Sequence, residues 1–149
     1  YMQICSDHIL ELDKTCAPTG KYVDINNTPF DFTKLKLIGK DIDSDNKQIK
    51  IGCGYDHVFM LNKGYIHLED KNSKRAMDII TDQESVVVYS MNFTDNLTLY
   101  NNKTNQRRFG ICFETQAPPI GHNMCFLDNS ILKKGEVYKQ STEYKFYLI

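Results

Sequence analysis

Tyr138-Lys-Gln-Ser-Thr-Glu-Tyr-Lys-Phe-Tyr-Leu148 is the stretch that decides the fold class. Tyr138, Thr142, Tyr144, Phe146 and Leu148 fall on one side of a two-residue period, and Lys139, Ser141, Glu143 and Lys145 on the other. That alternation predicts a half-buried strand. Working outward, alanine occurs only three times while Tyr and Phe total 17, which is poor material for helices and good material for pleated surfaces. Further strands are expected at 2–12, 58–61, 65–69, 76–80, 85–90, 97–100 and 108–114. Turn signals separate them, among them Pro18-Thr19-Gly20, Gly52-Cys53-Gly54, Asn62-Lys63-Gly64, Asn101-Asn102 and Lys134-Gly135. The spacing reads as an antiparallel sandwich, all-β in class. No run of ten or more residues carries a 3.6-residue period, and the charged segment 41–50 reads as a solvated loop.

The chain has 149 residues and a formal net charge of -1. That length suits one domain with a core burying roughly 68–70% of the unfolded surface. With no repeat and no linker, residues 1–149 are expected to form a single domain. A nearly neutral chain has no field to gather phosphates, and its dense basic spots, 71–75 and Arg107-Arg108, sit where hairpin ends are expected, so no nucleic-acid partner is expected. The apolar runs are far shorter than the ~18 residues of a spanning helix, and no membrane partner is expected. Five cysteines without a Cys-x-x-Cys, three of them in apolar surroundings, suggest buried reduced thiols and a cytoplasmic location. Asn26, Asn92, Asn96 and Asn102 each open an Asn-x-Thr triplet, as chance produces in an Asn-rich chain.

Few residues offer chemistry. His8, His57, His67 and His122 lack the spacing of a metal site, so no metal is expected, and no Gly-x-Ser-x-Gly elbow, phosphate loop or dinucleotide fingerprint occurs. The informative segment is Phe109-Gly-Ile-Cys-Phe-Glu-Thr-Gln-Ala-Pro-Pro119. As a strand it turns Phe109, Ile111 and Phe113 to one face and Gly110, Cys112 and Glu114 to the other. Glu114 then looks over two small residues, a shallow seat for a ring-sized ligand, with Gln116 adding hydrogen-bonding groups. A surface glutamate at a strand end would read the same. In Gly52-Cys-Gly-Tyr-Asp-His57, two glycines permit a tight bend that presents Asp56, which otherwise is an ordinary loop aspartate.

Thr28-Pro-Phe-Asp-Phe32, Ile38-Gly39, Gly54-Tyr-Asp-His57, Phe113-Glu-Thr-Gln116, Ile131-Leu-Lys-Lys-Gly-Glu-Val-Tyr138 and Tyr144-Lys-Phe146, with Pro18-Thr-Gly20 ahead of them, resemble in order and spacing the C-terminal half of an aldose 1-epimerase, or galactose mutarotase. The resemblance implies the C-terminal portion of an antiparallel β-supersandwich. It implies interconversion of the α and β anomers of free hexoses such as galactose and glucose, with no cofactor. By similarity Glu114 takes the place of the general base, while Asp56 and Gln116 belong to the substrate-binding set.

The departures carry information too. The family's proton-donating histidine belongs to an Asn-His-Thr-Tyr-Phe motif that does not occur here, and the setting of His8, Ser6-Asp-His-Ile-Leu10, matches a structural strand instead. The chain therefore reads as a mutarotase lacking its first half, to be completed by an N-terminal segment or a partner chain. Val87 stands where the family often has a sugar-contacting glutamine, and Ala117-Pro-Pro-Ile-Gly-His-Asn123 departs from the family's rim. The alternative expectation is a catalytically inactive mutarotase-like domain that binds carbohydrate or protein. A hexose-6-phosphate epimerase fits less well, because the chain has three arginines and no evident phosphate nest.

Overall fold

The structure is a computed structural model that describes residues 1–100 and 102–149. Among these residues the chain forms strands β1 (Met2–Leu12), β2 (Pro18–Asp24), β3 (Asp56–Asp70), β4 (Arg75–Thr81), β5 (Ser85–Tyr89), β6 (Cys112–Gln116) and β7 (Thr142–Leu148), with a short helix α1 (Lys47–Gly52). Every strand pairing is antiparallel, as the spacing of the turn signals implied.

β3 organises the sheet. Its first residues, from Asp56 to Met60, pair with β5, which pairs with β6, whereas Tyr65 to Asp70 pair with β4, which pairs with β7. β1 runs along the other edge of β3, and β2 lies outside β1. The sheet thus splits into two branches where β3 changes partners. At that point Asn62-Lys63-Gly64, expected as a turn, stays extended, so the two expected strands 58–61 and 65–69 are one. Gly64 makes the crossing possible, because a Cβ there would collide with the carbonyl oxygen of Thr81 at the end of β4.

The main core covers one face. Ile4, Ile9, Phe59, Ile66, Ile79, Val86 and Val88 pack there against Ile25, Phe30, Phe32, Ile49 and Tyr55 of the connecting segments. Phe30 and Phe32 meet the Tyr55 ring edge-on at 5.8 and 5.2 Å between centroids, and each such buried side chain stabilises the fold by about 1.5–3 kcal/mol. Leu10, Val58 and Phe126 form a smaller cluster with Met60 and Val87. Phe126 comes from the segment after β6, which folds back over this second face.

Several expectations are corrected. The segment that reveals β-structure most clearly does not bury its apolar face: in β7, Tyr144, Phe146 and Leu148 are 45%, 74% and 77% exposed. Residues 97–100 form no strand, only an isolated bridge from Thr98 to Thr104, and the Asn101 half of the expected turn lies outside the described residues. Pro18-Thr19-Gly20 opens β2 instead of ending in a turn, a place proline tolerates because the first residue of a strand can do without an N–H. The supposed loop 41–50 leads into α1, capped by the Asn46 side chain accepting from Gln48 N–H. Gln48 is buried because its amide pairs with both backbone groups of Leu12, as a neighbouring strand would. The five cysteines are all free, but Cys53, Cys112 and Cys125 are exposed and Cys5 and Cys16 only half-buried.

Candidate active site

Register places the two carboxylates together. Asp56 pairs with Tyr89, which pairs with Cys112, and one step along, Val58 pairs with Val87, which pairs with Glu114. Directly paired residues point the same way, and so do residues two apart on a strand. Asp56, Glu114 and Gln116 therefore share one face, opposite the main core and beside the cluster of Leu10, Val58 and Phe126. Ile111 and Phe113 pack against the core, as the alternation required. The strand itself starts later than expected, at Cys112, because Arg108 adopts a left-handed backbone (φ 71°) and Phe109 N–H closes a turn onto Gln106 O. Gly110 thus lies outside β6.

The environments of the two acids differ. Asp56 is half-buried and its N–H donates to His57 Nδ1 at 3.1 Å. Burial, and then the negative charge of Glu114, push its carboxyl above the ordinary aspartate range. Glu114 is exposed at the open edge of the face. Between the two lie Val58 and Val87, which offer no hydrogen bond. Gln116 is half-buried at the end of β6 and lines a cavity of about 500 Å³ with Pro118, Pro119, Leu132 and Tyr138.

None of the four histidines stands beside Glu114. His57 is fully buried, and burial pushes its imidazole down to about 3, so it is neutral and shielded from any ligand. His8 pairs with Met60, three strands from Gln116, and its Nδ1 meets Asp7 at 2.8 Å. His67 is held between Asp78 at 2.7 Å and Glu69 at 3.4 Å in the other branch of the sheet. His122 contacts Asp13 at 2.7 Å in the segment after β6. Among the described residues no three His, Cys, Asp or Glu side chains converge as a metal would need, and no helix is long and apolar enough to cross a membrane.

The sequence profile of the aldose 1-epimerase family matches residues 1–145. The chain belongs to this family. It is similar to the galactose mutarotase of Rattus norvegicus, 30% identical over 149 residues that cover 96% of this chain and 42% of that protein. It is similar to the aldose 1-epimerase of Streptococcus thermophilus, 27% identical over 156 residues, 98% of this chain and 43% of that one. Among solved structures, the galactose 1-epimerase of Lactobacillus acidophilus matches with a TM-score of 0.86 at 30% identity, covering 99% of this chain and 43% of the other. An aldose epimerase homologue from C. elegans matches with a TM-score of 0.80 at 20% identity, covering 99% and 45%, which speaks for the fold alone. This member of the family thus has the antiparallel β architecture of the galactose epimerases and spans about two-fifths of the length of these relatives.

A network that the sequence reading missed lies behind Asp56. Arg108, expected to be a solubilising charge at a hairpin end, bonds instead to Asn92, Ser90, Asp43 and the carbonyl of Cys53. Nothing in the local pattern marks it, since the partners come from three segments distant in the chain.

Proposed function

We propose that this chain is the proton-accepting and sugar-holding portion of a mutarotase acting on free hexoses such as galactose and glucose. The observation that carries the reading is the placement of Asp56 and Glu114 on one open face of a family member. Glu114, exposed to water, takes the proton of the anomeric hydroxyl, while an acid protonates the ring oxygen. The ring opens, the carbonyl carbon rotates, and closure gives the other anomer. Asp56, more buried, accepts hydrogen bonds from sugar hydroxyls and fixes the ring, with Gln116 adding a polar contact at the rim. No metal or cofactor enters this scheme.

The acid is supplied from outside these residues, because no histidine of this chain reaches Glu114. Residues 1–149 act as the C-terminal portion of a single β-supersandwich, completed by the portion its relatives have in addition. The exposed face of β7 supports this reading, since it offers Tyr144, Phe146 and Leu148 to a covering element. The free thiols favour a reducing, cytoplasmic setting.

The second reading is a mutarotase-like module that binds carbohydrate or protein without turnover. Val87, between the carboxylates, favours it, because a hydroxyl facing two valines gains no partner. Polarimetry of freshly dissolved α-galactose separates the two. The chain alone is expected to be nearly inactive, and activity is expected on adding the N-terminal portion of the Lactobacillus acidophilus relative; sugar binding with no turnover in that complex supports the module instead.

A further inference from the structure

We propose that Arg108 is a positioning residue that latches the loop 52–55 and thereby aims Asp56, an inference that rests on the sugar-holding role proposed for Asp56.

The loop must turn sharply to present Asp56, with Cys53 and Gly54 at φ 54° and 136°. A turn of that kind takes the carbonyls of Gly52 and Cys53 out of any strand ladder, while Tyr55 O keeps the backbone N–H of Ser90 at 2.9 Å, and buried carbonyls need donors. Gly52 O accepts from Asn92 Nδ2 at 2.6 Å, and Tyr55 O accepts from the same Nδ2 at 2.9 Å and from Ser90 Oγ at 3.1 Å. Cys53 O accepts from Arg108 Nη2 at 2.9 Å and Arg107 Nη2 at 2.8 Å. The carbonyls of Gly52, Cys53 and Tyr55 therefore end on Ser90, Asn92 or one of the two arginines.

The Arg108 guanidinium sets the others. Its Nη1 donates to Asn92 Oδ1 and to Ser90 Oγ at 3.2 Å, and its Nη2 reaches Asp43 at 3.0 Å. Because Asn92 Oδ1 is taken by a cation, the amide must turn Nδ2 toward the loop. Two backbone features exist to admit this arrangement. Met91 is left-handed (φ 48°), which lets Ser90 and Asn92 both face inward, and Arg108 N–H holds Met91 O at 3.1 Å. A Cβ on Gly54 would collide with the guanidinium, so only glycine lets the arginine lie against the loop. A planar fork with five donors fits these acceptors, and an ammonium does not.

The consequence falls on Asp56, which directly follows the latched loop and whose backbone N–H donates to His57 Nδ1. Without the guanidinium Cys53 O loses one of its two donors, Asn92 and Ser90 lose the cation that orients them, and the carboxyl is free to swing into water.

The test compares Arg108→Ala and Arg108→Lys with the parent 149-residue chain. Carbon-detected NMR titration of the Asp56 carboxyl and hydrogen exchange at the Tyr55 amide, which donates to Ser90 Oγ, need no sugar. Arg108→Ala is expected to bring the Asp56 titration down toward the ordinary aspartate range. It is expected to speed Tyr55 exchange at least about tenfold while leaving Ile79 in β4 protected, and Arg108→Lys to fall between. Should Arg108→Ala not fold, the same two readouts in Arg108→Lys decide. On galactose affinity, measured with each chain completed by the N-terminal portion of the Lactobacillus acidophilus relative, Arg108→Ala is expected to weaken the parent about tenfold and to have no further effect in an Asp56→Ala background. Unchanged Asp56 titration and Tyr55 exchange would overturn the latch, as would losses that multiply in the double variant. A parent that, completed by the N-terminal portion of the Lactobacillus acidophilus relative, does not bind galactose, yet shows the two shifts, refutes the sugar reading and leaves the latch standing.

Discussion

Asp56 and Glu114 lie on the same face of the sheet with β5 between them, and the Glu114 charge adds to burial in pushing the Asp56 carboxyl up. Two strand spacings and one two-residue step put their Cα atoms roughly 12 Å apart, far enough for a ring to sit between the side chains. An aspartate kept in that position costs stability. Its folded-state pKa exceeds the unfolded value, so the folded chain holds the proton more tightly, and stability falls as pH rises from the unfolded value through the raised one. Asp56→Asn is therefore expected to stabilise the chain by about 0.5–1 kcal/mol at pH 7, with the gain vanishing below about pH 4. Urea melts at the two pH values check it; a loss of stability at pH 7 contradicts it.

Asp56→Ala, by contrast, probes the ligand. A charged acceptor hydrogen-bonded to a neutral hydroxyl contributes about 1.5–3 kcal/mol, so galactose or glucose affinity is expected to fall roughly tenfold to a hundredfold. Calorimetry with the completed protein measures this. Unchanged affinity assigns Asp56 to structure alone.

Asp78 behaves in the opposite sense from Asp56. Burial would raise its carboxyl, but hydrogen bonds from His67 at 2.7 Å, Tyr65 at 3.0 Å and Tyr147 at 3.2 Å outweigh it and hold it below the usual range. The stability this contributes is present above the unfolded pKa and is lost as pH falls through the folded one. Asp78→Asn is expected to cost about 1–3 kcal/mol at pH 7, and less below about pH 4. Denaturant melts of the variant across that range decide, and a neutral substitution at pH 7 contradicts the assignment.

The exposed face of β7 has a consequence in solution. An apolar edge strand pairs with whatever it meets, so the isolated chain is expected to self-associate, and Phe146→Lys to raise its monomer fraction. Size-exclusion chromatography with light scattering measures both forms. A parent chain that stays monomeric at high concentration contradicts this expectation.

Much of this was legible because it depends on short-range alternation. Phe113 and Glu114 could be assigned to opposite faces from the two-residue period alone, and the glycines around Cys53 announced the bend before Asp56. What escaped depends on partners distant in the chain. Gly64 looks like a turn residue until the end of β4 is brought across it. Gln48 looks solvated until Leu12 lies beside it. Arg108 looks like a surface charge until Ser90, Asn92 and Cys53 converge on it, and the alternation in β7 reveals a strand without revealing whether anything covers it.

Base action by Glu114 is tested most directly by polarimetry on a chimera that joins the N-terminal portion of the Lactobacillus acidophilus galactose 1-epimerase to this chain. Glu114→Gln keeps the shape and removes the proton-accepting group, so the rate of α-galactose mutarotation is expected to fall by ~10²-fold or more with folding intact. A folded Glu114→Gln chimera that turns over galactose at the parent rate would contradict the account.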